Sequence, residues 1–156
     1  MSERSSGRAR HRAIRVAKDG IWYFHGREII RKEIVRFFCE NLHLDERGYY
    51  VEVGAEREYL DVEDTVFLVV GAELVHERRA SFVIHLNDGT REQLDLSTFW
   101  INEQNVPYCT VKGGAFPARF LRLPYYQVAQ YADYDEEKEE YFVMLDGQRF
   151  PLRVVT

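Results

Sequence analysis

Ile30, Ile34, Phe37, Phe38 and Leu42 recur at the spacing of one helix face and predict an amphipathic helix over about Arg31–His43. Around it the apolar pattern shortens to strand-like runs. Ile21–Phe24 reads as a short strand ending at His25-Gly26. Tyr49–Val53 and Arg57–Val62 read as a hairpin after the turn residues Asp45-Glu46-Arg47-Gly48. The centre, Thr65–Leu96, is richest in β-formers, and Thr65–Val70 is nearly all apolar, as suits a strand buried on both faces. Phe82–Leu86 and Arg91–Leu96 flank Asn87-Asp88-Gly89-Thr90, where Asp-Gly accepts the positive φ of a tight hairpin turn. Tyr108–Val111 predicts a further strand and Lys112-Gly113-Gly114 a turn. A second helix follows from about Arg122 to Asp133, with Pro124 in its first turn, where a missing N–H costs little. The acidic run Asp133–Glu140 reads as a solvated connection. Tyr141–Leu145 and Gln148–Val154, joined at Asp146-Gly147, close the chain as a hairpin.

The pattern repeats. Gly26, Arg31, Val35, Phe37 and Phe38 recur as Gly114, Arg119, Leu123, Tyr125 and Tyr126. Tyr49-Tyr50-Val51 and Arg57-x-x-Leu60-x-Val62 recur as Tyr141-Phe142-Val143 and Arg149-x-x-Leu152-x-Val154. Each repeat therefore reads as strand, turn, helix, hairpin. One copy is too small to hide its apolar helix face, so the copies are expected to share a core with the central strands. The predicted class is α+β, with duplicated strand–helix–hairpin units and a central antiparallel β region. The expected divisions are a basic mobile arm at 1–13, a first repeat at 14–64, central hairpins and a connection at 65–106, and a second repeat at 107–156. A ligand is expected at the seam between the related units.

Composition changes this picture little. The 156 residues are 46% hydrophobic and 14% aromatic, enough for a real core. A net charge of -5 argues against duplex nucleic acid as the main partner, because phosphate binding needs a clustered basic face. Arg4, Arg8, Arg10, Arg12, Arg15 and Lys18 crowd the start against Glu3, which reads as a solvated arm, with a nucleic-acid or membrane tether as the alternative. Cys39 and Cys109 share no metal-ligand spacing and suit buried free thiols in a reducing cytoplasm. No apolar run approaches the roughly 18 residues of a membrane span.

Catalytic and metal signatures are absent from the sequence. It has no phosphate-cradling Gly-x-x-x-x-Gly-Lys loop, no Gly-x-Gly-x-x-Gly and no His-Glu-x-x-His, so neither cofactor nor metal is expected. Glu63 and Asp64 could form an acid/base pair, but solvent exposure or strand capping explains them as well. What remains is cations beside aromatics. Arg119, Arg122 and Tyr125 gather at the second helix start, with Lys112 in the preceding turn and Arg31 placed equivalently in the first repeat. Guanidinium forks and helix N-terminal amides take phosphate, and aromatic faces stack a flat base. Trp100 is a candidate lid on the Ser97–Val106 connection. The same residues also suit core aromatics and surface ion pairs.

In order and spacing, Asp19-Gly20-x-Trp22, Gly26, Ile29, Arg31, Val35-Arg36-x-Phe38, Val62-Glu63-Asp64, Pro107-Tyr108, Val111-Lys112, Gly114, Arg119, Arg122, Tyr125-Tyr126 and Gly147 to Leu152 resemble the bacterial domain-of-unknown-function family 1285. The resemblance implies a duplicated α+β fold whose second half, 65–156, is superficially like pleckstrin-homology domains. It also implies a cleft between halves for a nucleotide-like molecule, a role in signal transduction and no established enzymatic activity. The chain departs from that pattern at Phe24, Glu28, Val66 and Thr98-Phe99-Trp100-Ile101, where the family carries His, Pro, Pro and a His-Pro-hydrophobic-Arg motif. The expected function is a non-catalytic sensor binding an anionic, nucleotide-like ligand through Arg31, Trp100, Lys112, Arg119, Arg122 and Tyr125. The alternative is a protein-interaction scaffold without a small-molecule ligand.

Overall fold

The computed structural model describes residues 12–155, so nearly all of the expected arm lies outside the described residues. The chain divides after Val66 into two units, each considered by itself.

In the first unit, strands β1 (Ile14–Val16), β2 (Trp22–Phe24), β3 (Arg27–Glu28) and β7 (Asp61–Val62) form one sheet in the order β3-β2-β1-β7. Ile14 and Val16 are buried while Arg15 points outward, the period-two pattern of a half-buried strand. The β2–β3 turn uses positive φ at His25 and Gly26. Helix α1 (Lys32–Glu40) buries no residue fully, although Phe38 stacks on Trp22 at 5.7 Å. It stops short of the predicted His43. Asn41 caps its end, donating from Nδ2 to the Phe37 carbonyl at 2.8 Å, and Leu42 enters a strand instead. That strand, β4 (Leu42–Asp45), pairs with β5 (Gly48–Val53), which pairs with β6 (Glu56–Tyr59). The predicted strand Arg57–Val62 is thus two strands. Leu60 is buried and donates to the Tyr49 carbonyl at 3.0 Å, after which the chain crosses to run parallel with β1.

The second unit carries a mixed seven-stranded sheet. Its strands are β8 (Phe67–His76), β9 (Ala80–Leu86), β10 (Arg91–Gln93), β11 (Trp100–Ile101), β12 (Pro107–Val111), β13 (Phe116–Phe120) and β17 (Arg153–Val154), in the order β10-β9-β8-β13-β12-β11-β17. Asp88-Gly89 turns the β9–β10 hairpin as predicted, with Gly89 at φ 89°. Burial on both faces holds for Val66–Val69 and ends at Val70, where a bulge between Val69 and Gly71 redirects the strand. Phe116, Ala118 and Phe120 of β13 are buried in the sheet interior, parallel to β8 and antiparallel to β12.

Helix α2 (Arg122–Ala129) packs on β8 through buried Pro124 and Val128. It ends before the predicted Asp133, because Ala132 begins strand β14 (Ala132–Asp135). β14 pairs with β15 (Glu140–Leu145), and β15 with β16 (Gln148–Pro151). The acidic run is therefore a connection only at 136–139, its flanks being paired strand residues with Tyr134 opposite Tyr141. A 3-10 turn at Leu96–Thr98 links β10 to β11, at opposite sides of the seven-stranded sheet. With two helices among the described residues, the fold is a small, strand-rich α+β fold.

Candidate functional site

Alternation along β13 decides which side chains turn away from the core. With Phe116, Ala118 and Phe120 turned into the core, Arg119 projects from the opposite face, half-buried, with its Nε enclosed. The next residues open α2, whose Leu121 cap supplies no side-chain acceptor, so the first-turn amides have no side-chain cap. Arg122 is exposed and makes no ion pair among the described residues. Tyr125, one turn on, stacks against Phe99 at 6.4 Å and touches Tyr126 at 5.9 Å. Burial, and then the neighbouring Tyr126, pushes its phenol pKa up, so it remains a neutral donor.

Arg119, Arg122, Tyr125 and Tyr126 line one cleft of about 360 Å³. Its other wall is the β11–β12 loop, with Gln104 and Asn105. Asn102 fixes that loop by accepting from the backbone N–H groups of Gln104 and Val106, both at 2.9 Å. Asn105 stands at φ 65°, in the left-handed region that Asn tolerates. The volume falls within the range of small-ligand pockets, roughly 300–1,000 Å³. Two guanidinium groups, an uncapped helix start and a half-buried phenol give it the chemistry that suits an anion with an aromatic side.

The other predicted residues lie elsewhere. Lys112 does not line this cleft: its ammonium donates to Asp88 at 2.8 Å and Thr90 at 3.0 Å, and lies over the Phe67 ring at 5.2 Å. Its N–H donates to the Glu92 carboxylate. Trp100 is held in β11, stacked on Tyr108 at 5.1 Å, rather than on an irregular lid. Arg31 caps α1 in the first unit and is ion-paired with Glu33 at 3.0 Å. It is thus a helix-cap residue, whereas Arg119 is a strand residue; the sequence match between them is not a match of local structure. Glu63 is exposed, and its carboxylate accepts from the Lys18 N–H at 2.9 Å. Among the described residues no group of three His, Cys, Asp or Glu is arranged to hold a metal, and no helix is long and apolar enough to cross a membrane.

Residues 6–65 match the model of the N-terminal domain of the domain of unknown function DUF1285. A DUF1285 family protein from Silicibacter pomeroyi DSS-3 has a similar fold at 22% identity and a TM-score of 0.74, over 90% of this chain and 79% of that one. Another, from Shewanella baltica OS155, is similar at 17% identity and a TM-score of 0.66, over 78% of this chain and 93% of that one. The DUF1285 match thus covers the first unit, and the two solved DUF1285 family proteins share the fold. No curated protein matches this chain. Sequence patterning alone does not single out Asn102, Gln104 or Asn105 beside this cleft. Their signal was available as Asn102-x-Gln104-Asn105, a turn-forming cluster just before β12.

Proposed function

We propose that this protein is a non-catalytic cytoplasmic sensor, with a role in signal transduction, whose second unit binds a small anionic, nucleotide-like molecule. The observation that carries this reading is the convergence of Arg119, Arg122 and Tyr125 on one cleft beside an uncapped helix start. The guanidinium groups and amides would take the phosphate, and Tyr125 or Tyr126 would contact the base. The test is a thermal-shift screen of mono-, di- and cyclic nucleotides. A nucleotide at 100 times its Kd stabilises the folded state by about 2.7 kcal/mol. No shift with any nucleotide, or a shift that survives Arg122→Ala unchanged, overturns the reading.

Internal duplication forms part of this proposal. In support, β7 lies parallel to β1 and β17 lies parallel to β11. Leu60 donates to Tyr49 and Leu152 to Tyr141, at 3.0 and 2.8 Å. Arg57 lies over Tyr50 at 4.6 Å, and Arg149 over Phe142 at 4.4 Å. The pleckstrin-homology likeness proposed for 65–156 draws on two sheets and one α-helix among the described residues.

A protein-interaction scaffold is the second reading, favoured by the exposed Ile30, Ile34 and Phe37 on and beside α1. A defined complex lost on Ile34→Glu with Phe37→Glu would support it, and no complex formed by the parent chain would remove it.

A further inference from the structure

We infer that the second unit has another site, which binds an extended acidic peptide segment along the free edge of β10. Among the described residues β10 ends its sheet, pairing only with β9. The bonds Leu86 N–H to Thr90 carbonyl, 2.9 Å, and Leu94 N–H to Phe82 carbonyl, 2.8 Å, set the phase of that ladder. By antiparallel alternation Glu92 bonds toward β9, so the backbone N–H and C=O of Arg91 and Gln93 point away from it. These groups form a template for another strand.

Gln93 also borders a cleft of about 660 Å³, larger than the one beside α2. The β8–β9 turn brings Arg78 and Arg79 to this cleft, and Leu94, Leu145 and Phe150 contribute apolar surface. Arg78, Arg79 and Arg91 are exposed and make no ion pair among the described residues, in a chain whose net charge is -5. Arg91 and Gln93, two apart in a strand, share one face. The two carboxylates nearby are already engaged. Asp146 accepts from the Ala80 N–H at 2.7 Å, and Asp95 from the Ser97 N–H and hydroxyl at 3.1 and 2.6 Å. The Asp146 bond also ties the β15–β16 turn to the start of β9, so the cleft is built before any ligand arrives. Guanidinium groups beside an unpaired strand edge match a peptide whose main chain adds to β10 while its carboxylates meet the arginines.

The test is fluorescence anisotropy with a fluorescein-labelled hexapeptide alternating Glu and Val, against a Lys-Val hexapeptide. The Glu-Val peptide should bind about tenfold more tightly than the Lys-Val peptide, and Arg78→Ala with Arg79→Ala should weaken it by about tenfold, as expected when charge-assisted bonds are lost. Gln93→Pro, which deletes the edge N–H, should weaken it similarly, while Arg122→Ala should leave it unchanged. Circular dichroism checks that each variant folds; the arginine pair lies on an exposed turn and tests the site even if Gln93→Pro does not fold. No binding of the Glu-Val peptide, equal binding of both peptides, or full affinity in the double arginine variant overturns the inference.

Discussion

Lys112 Nζ donates to Asp88 Oδ2 at 2.8 Å, tying the turn between β12 and β13 to the turn between β9 and β10. The lysine charge is therefore spent inside the fold. Lys112→Met should cost about 2 kcal/mol, the range for a partly buried charge-assisted bond, and leave nucleotide affinity unchanged. Urea unfolding and the nucleotide screen, run on the same variant, check both halves.

The same contact sets a pH dependence. Burial raises the Asp88 pKa, but hydrogen bonds from Lys112 and Thr90 outweigh it and hold the carboxyl below its ordinary value. A group whose folded pKa is depressed contributes its stability above the unfolded pKa, about 3.9, and loses it as pH falls through the folded value. Urea midpoints should therefore fall below about pH 4 in the parent chain, and Asp88→Asn should flatten that part of the profile.

The two thiols should differ. Cys109 is buried, and burial, followed by the charges of Glu92 and Asp95, pushes its pKa up to about 12. Because the thiolate is the reactive form, iodoacetamide at about pH 8 should modify half-exposed Cys39 and spare Cys109. Mass spectrometry should find Cys109 labelled only after denaturation.

Arg149 joins the closing sheet. It donates to Asp135 at 2.9 Å, pairs with Glu140 at 2.7 Å and lies over Phe142 at 4.4 Å. Arg149→Ala should cost about 1 kcal/mol, since these contacts are partly exposed. A lowered urea midpoint with unchanged slope would show it.

Legibility in the sequence followed the strength of local chemistry. Asp88-Gly89 and Pro124 declare a turn and a helix start through backbone constraints that tertiary packing does not override. β13 was hidden because Pro117 and Ala118 weaken the β signal, and only the pairing with β8 and β12 makes the segment a strand. Leu42 and Ala132 continue the apolar rhythm of the preceding helices, so β4 and β14 were masked until their partners on β5 and β15 were known. Arg119 and Arg122 were legible as site candidates from their charge. The Lys112–Asp88 contact was not, because it joins two distant turns that the sheet alone brings together.

The most direct test of the central claim is a 1H–15N titration with the nucleotide that gives the largest thermal shift. The account predicts shifts concentrated at Gln104–Val106 and Arg119–Tyr126, abolished by Arg122→Ala. Shifts confined to residues outside that cleft, or unchanged in the variant, would contradict it.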